Sequence, residues 1–153
     1  MISFEEIRVI TVVYLAVFLP LIIYFKNKDK LPNWIPTFYI VGVVVCSLGW
    51  ELWFSYGWIS GDGVDLRRSE SLNTWLPKDI NWLMNSMSDA GTVLLGGTWL
   101  MWVTHKKDQI VFKEWKWSGF CVLLTWCVTQ NILVEMFLYH DQLAAVSYTH
   151  LTL

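Results

Sequence analysis

Four hydrophobic stretches, residues 7–25, 37–58, 81–104 and 118–139, limit what this chain can fold into. Each is about 20 residues, the length an α-helix needs to cross a hydrocarbon core. Only helices and closed barrels satisfy all their backbone groups there. With 55% hydrophobic residues and 11 tryptophans among 153, the composition is far from that of an average soluble domain. The expected fold is all-α: a polytopic membrane protein, a single domain over 1–146, built as an antiparallel bundle of four transmembrane helices. The first stretch has Glu5 and Glu6 ahead of Arg8 and no small-residue cleavage site before Lys26, so it reads as a retained helix rather than a signal peptide. Pro20 is the one expected kink in it.

The loops give an orientation. Seven lysines, Lys26, Lys28, Lys30, Lys106, Lys107, Lys113 and Lys116, fall in the first and third connections, against Arg8, Arg67, Arg68 and Lys78 on the other side. The positive-inside rule then places the N-terminus outside and the first and third loops in the cytoplasm. Trp34, Trp58, Trp75, Trp82, Trp115 and Trp117 lie near helix boundaries and are expected as interfacial anchors. The third loop, HKKDQIVFKEWKW, is basic and aromatic, fit for an anionic membrane interface.

Several function classes fall away. A net charge of −2 offers no basic surface for nucleic acid, and no Gly-rich phosphate loop is present. Cys46, Cys121 and Cys127 lack CxxC spacing and read as packing residues. His105 and His140 have no partner histidine at helical spacing, so neither a metal nor a cofactor is expected.

What remains is a set of acids in the wrong solvent. Glu51, Asp89 and Glu135 each sit inside a separate hydrophobic stretch, where a charge costs roughly 2.5–3.5 kcal/mol on insertion scales. From the helical rise they lie roughly 10, 12 and 6 Å from the outer helix ends, so short loops would bring them to one level of the bundle. In the third stretch Asn81, Asn85, Ser88, Asp89, Thr92 and Gly96 recur every three or four residues, a polar stripe that must look inward. Ser47, Glu51 and Ser55 repeat the pattern in the second stretch, and Asn131 and Glu135 in the fourth, with Gln130 beside them.

Glu51 and Asp89 are therefore the candidate proton-transfer or cation-binding pair, with Glu135, Gln130 and Asn85 as further ligand contacts. Trp50, Trp53, Trp99 and Trp102 are the aromatic walls that would stabilise a cation by their ring faces. The competing expectation is that these polar groups are interhelical glue, worth about 0.6 kcal/mol each, with Gly96 and Gly97 allowing close packing. The outer loop, residues 59–80, reads as an ordered cap through its Gly-Asp-Gly turn and Trp75-Leu76-Pro77. Arg67 and Arg68 within it are candidates to pair with Glu51, a substrate anion or lipid phosphate.

Glu51 followed by Trp53, then Asp89 followed by Gly97 and Trp102 in the next helix, resembles the emopamil-binding-protein-like (EXPERA) superfamily of sterol isomerases, over residues 41–139. The resemblance implies a five-helix bundle around a lipid-shaped cavity. There, intramembrane acids move a proton to and from a ring double bond through a carbocation held by aromatic rings. Where that family's isomerases carry a His one turn before the second-helix acid, this chain has Ser47. The last residues, SYTHLTL at 147–153, resemble sequencing-adaptor read-through and are set aside as a non-native tail; a fifth helix is expected to have been lost with the natural continuation. Two functions follow as expectations. One is a membrane protein binding an apolar or amphipathic cationic, sterol-like small molecule, with isomerase-like proton transfer. The other is a small transporter or membrane-complex subunit whose acids relay protons or pair with a partner subunit's helices. Membrane lipid is a partner in both.

Overall fold

The computed structural model describes residues 2–57, 61–134 and 136. Glu135, Trp58, His140 and the 147–153 tail lie outside the described residues. Among the described residues every regular element is helical.

Helix α1, Phe4–Asn27, starts at a capping box in which the Glu6 amide donates to Ser3 Oγ (3.2 Å) and the Ser3 amide to Glu6 Oε2 (2.6 Å). Pro20 lies buried within it and does not end it. Helix α2, Ile35–Tyr56, has Pro36 in its first turn and contains a π-helical stretch at Ser47–Glu51. It stops at Gly57, whose φ of 77° is the left-handed cap that favours glycine. Two short helices follow, α3 (Val64–Arg67) and α4 (Glu70–Trp75). Helix α5 covers residues 78–104, interrupted by a second π-helical stretch at Gly91–Gly96. Helix α6 is Trp117–Val134.

Three of these are long and apolar enough to cross a membrane: Phe4–Lys30, which adds the turn after α1, Ile35–Tyr56 and Trp117–Val134. Only 17%, 22% and 6% of their most apolar windows is buried, so their hydrophobic side chains face outward. Leu15, Phe18, Ile22, Val44, Leu48 and Val128 are all exposed. An apolar girdle of that extent is what lipid covers, and water would not tolerate it.

Helix α5 falls short of the same standard because Asn81, Asn85, Ser86, Ser88, Asp89, Thr92 and Thr98 dilute its hydropathy. It is the hub of the fold. The helices α1 and α2 pack on its first half and on the π stretch, and α6 packs on its second half. Asn81, Ser86 and Thr98 are buried there. The hydroxyls close on the helix's own carbonyls: Ser86 on Trp82 (2.7 Å), Thr92 on Ser88 (2.8 Å) and Thr98 on Leu94 (2.5 Å). The most polar long helix thus sits behind three apolar ones.

Glycine admits α6. A Cβ on Gly97 would lie 2.6 Å from Leu123 Cδ1 and 3.3 Å from Trp126 Cδ1. We expect Gly97→Leu to push α6 off α5 and to destabilise the fold by about 1–3 kcal/mol, as overpacking does. Unfolding by SDS titration in mixed micelles would measure it, and an unchanged midpoint would disprove this packing.

The 61–77 segment is an ordered cap, and Arg68 holds it. Its Nε donates to Asn73 Oδ1 (2.6 Å), its Nη1 to Asn81 Oδ1 (2.9 Å) at the start of α5, and its Nη2 to the Leu76 carbonyl. Burial lowers the Arg68 pKa to about 10, against the pull of the Asp65 carboxylate, so it stays charged at neutral pH. Arg67 donates to the Phe54 carbonyl. The arginines therefore take structural partners within the cap and on α2 and α5, not Glu51. Ser69 and Ser71 (2.7 Å) donate to Glu6 Oε1, which fastens the cap to the start of α1.

Candidate functional site: an acid-lined cavity beside two π turns

A cavity of about 460 Å³ lies between α2, α5 and the end of α6. Glu51 and Asp89 face it together, with Trp50, Cys46 and Phe54 from α2 and Gln130 and Asn131 from α6. Its apolar wall includes Leu94, which lies against Gly42 so closely that a Cβ there would clash with it.

The π turns shape this site. In a regular helix Trp50 and Glu51, being neighbours, point about 100° apart. Both line the cavity, at the end of the widened turn Ser47–Glu51, where Gly49 has φ −78° and ψ −112°. A π turn also loosens backbone carbonyls from the helical ladder. Here indoles from neighbouring helices occupy them: Trp82 Nε1 donates to the Ser47 carbonyl (2.9 Å), and Trp126 Nε1 to the Thr92 carbonyl (2.7 Å). Trp82, expected as an interfacial anchor, is instead a clamp between α5 and α2.

The two acids are held differently. Asp89 Oδ2 accepts from Trp50 Nε1 at 2.9 Å. Glu51 is 5% exposed, and its Oε2 is buried with no hydrogen-bond partner, while the Asn85 side chain lies beside its carboxyl. A buried acceptor left open costs about 1–3 kcal/mol, so this oxygen is poised for a donor or a cation arriving from the cavity. Val45 and Trp50, on the rim, are both exposed, so the cavity reaches the outer surface of the helices.

The expected aromatic walls divide. Trp50 lines the cavity. Trp53 is exposed on the outside of α2. Trp102 is buried in the apolar cluster with Leu31, Ile35 and Leu95, and Trp99 packs against that cluster, away from the acids. Glu135 lies outside the described residues. Cys46, expected as a packing residue, Asn131, part of the polar pattern of the fourth stretch, and Phe54, not singled out in the sequence, line the cavity too. Asn131 had the signal of its spacing, and so had Cys46 and Phe54, which stand four residues to either side of Trp50 and so share its helix face. Among the described residues no three of His, Cys, Asp and Glu gather as a metal-binding group.

Compared with known proteins, the chain matches no family model, no curated sequence and no solved structure. The class defined by fold and site is an all-helical protein with three helices long and apolar enough to cross a membrane, a polar hub helix and a cavity lined by two carboxyls.

Proposed function

We propose that the protein is an integral membrane protein of four spanning helices, α1, α2, α5 and α6, with its N-terminus outside, and that the Glu51–Asp89 cavity binds an apolar or amphipathic cationic ligand of sterol-like size. One observation carries the reading: an unpartnered, buried Glu51 oxygen facing a cavity that also holds Asp89. A volume of about 460 Å³ falls within the range of small-molecule sites. The shielding of α5 by three apolar helices supports its crossing the bilayer with its polar stripe intact. The resemblance to the emopamil-binding-protein-like superfamily points to the same ligand class. With one carboxyl protonated and the other ionised, such a pair can give a proton to a ring double bond and take one from the adjacent carbon.

The test uses a steroid bearing a side-chain tertiary amine and the same steroid with a hydroxyl in that place, titrated against the protein in nanodiscs. The amine should bind at least about tenfold tighter, the scale of one charge-assisted hydrogen bond. Asp89→Asn should bring the two ligands to within about twofold while leaving the helical content unchanged. Equal preference in wild type and variant would remove the proposal.

A second reading keeps a place because of α6. Its apolar window is only 6% buried, and Thr125, Thr129 and Asn131 are exposed on it, polar groups that a partner helix would satisfy. On that reading the chain is a transporter or complex subunit. A stable oligomer after mild detergent extraction favours it; a monomer with amine selectivity favours the ligand site.

A further inference from the structure

A second cleft lies at the other end of the bundle, where the 28–34 and 105–116 connections meet. Gln109 Nε2 donates to the Lys30 carbonyl (3.0 Å), and the Trp34 and Phe112 rings pack edge-to-face at 6.0 Å. His105 is bonded to the Met101 carbonyl and to Ser118 Oγ at 2.8 Å each, joining the end of α5 to the start of α6. These contacts build a mostly apolar cleft of about 330 Å³ over Gly119, lined at its charged edge by Lys113, Lys116 and one carboxylate, Glu114. Trp115 and Trp117, 70% exposed, stand beside it with their rings 5.5 Å apart.

Charge separates this end from the other. The 26–30 and 105–117 segments carry seven lysines against Asp29, Asp108 and Glu114, a surplus of four positive charges. Among the described residues none of these lysines makes an ion pair. On the cap side the basic groups are already engaged: Arg67 with the Phe54 carbonyl, Arg68 with Asn73, Asn81 and Leu76, and Lys78 with Asp65 at 3.2 Å. Unpaired ammonium groups above an apolar cleft, flanked by exposed indoles, match one chemistry. A phosphate belongs on the lysines, an acyl chain in the cleft, and the interface at the tryptophans.

We propose that this cleft is a binding site for an anionic phospholipid, its headgroup phosphate held by Lys113 and Lys116 and its proximal acyl chain lying over Gly119 and Phe120. The site rests on the helices crossing a membrane and not on the acid cavity, so the two stand or fall separately.

The experiment measures the relative association of spin-labelled phosphatidylglycerol and phosphatidylcholine with the full chain in phosphatidylcholine vesicles. Wild type should prefer the anionic lipid by severalfold. Lys113→Gln/Lys116→Gln should bring that preference to near unity, a loss within the reach of one or two surface lysines, and Lys113→Arg/Lys116→Arg should retain it. Lys26→Gln/Lys28→Gln, equal in charge but away from the cleft, should keep more than half of it. No preference in wild type, or equal loss in both glutamine variants, would overturn the site. So would displacement of the lipid by inorganic phosphate beyond that produced by sodium chloride of equal ionic strength, which would reassign the lysines to a free anion.

Discussion

Replacing Arg68 with Ala is expected to lower the unfolding free energy by about 2–3 kcal/mol and to release the 61–77 cap. Its guanidinium binds Asn73, Asn81 and the Leu76 carbonyl at once. Charge-assisted hydrogen bonds are worth about 1.5–3 kcal/mol singly, but those sharing one side chain do not add, and Arg68 is only half-buried. Arg68→Lys should recover little, since an ammonium cannot span the fork that reaches three segments. The cap shields the start of α5, where Asn81 is buried, so its loss should also speed hydrogen exchange in the first turns of that helix. Thermal unfolding in detergent and hydrogen exchange at 78–90 check both parts. An Arg68→Ala protein with wild-type stability and exchange would mean that Glu6 with Ser69 and Ser71 holds the cap alone.

The helices themselves were legible because a membrane span is a length and a hydropathy before it is anything else. The expected 7–25, 37–58, 81–104 and 118–139 stretches coincide with α1, α2, α5 and α6 apart from Gly57 and a few terminal residues outside the described ones, and three of the four, all but α5, are apolar enough to cross a membrane. Less was legible where tertiary context outweighs period. The 3.6-residue spacing placed Ser47, Glu51 and Ser55 on one face, and all three are buried. Of these, only Glu51 lines the cavity. Ser47 closes on the Val44 carbonyl at 3.0 Å. Trp50 lines the cavity, as its place beside Glu51 predicts, but the π turns have no hydrophobic signature of their own, so nothing in the sequence said that Trp82 and Trp126 would occupy the freed carbonyls. Tryptophans near helix ends read as interfacial anchors on composition alone. Trp115 and Trp117 are exposed, whereas the Trp82 N–H is bonded inside the bundle, a role that composition does not foretell. The arginine pair is a related case. Two basic residues in a 22-residue outer loop leave Glu51, a substrate anion and lipid phosphate all open as partners, and only the fold brings Asn73 and Asn81 together on Arg68.

Glu51→Met should make the protein more stable and functionally silent, and the opposite signs are what separate a ligand site from interhelical glue. If Glu51 were glue, its carboxyl would be bonded across helices and removing it would cost about 0.6 kcal/mol, with more lost to unpaired partners. Instead, the carboxyl is only partly engaged: Asn85 of α5 bonds to it, while Oε2 is left buried without a partner. Relief of an open buried acceptor is worth about 1–3 kcal/mol, and methionine fills a similar volume against Phe54 and Leu94 at the cavity wall. The Asn85 amide, half-buried, then loses its neighbour, so Glu51→Met/Asn85→Leu should show the fuller gain. Both variants should lose the preference for the amine-bearing steroid by at least about tenfold, because the cavity would keep its shape and lose its open acceptor. SDS titration and the paired-steroid binding measurement together decide the matter. A fall in stability on Glu51→Met that the double variant does not restore would assign Glu51 to holding helices together. A rise in stability with loss of amine binding would mark it as a group kept, at a cost to the fold, for what enters the cavity.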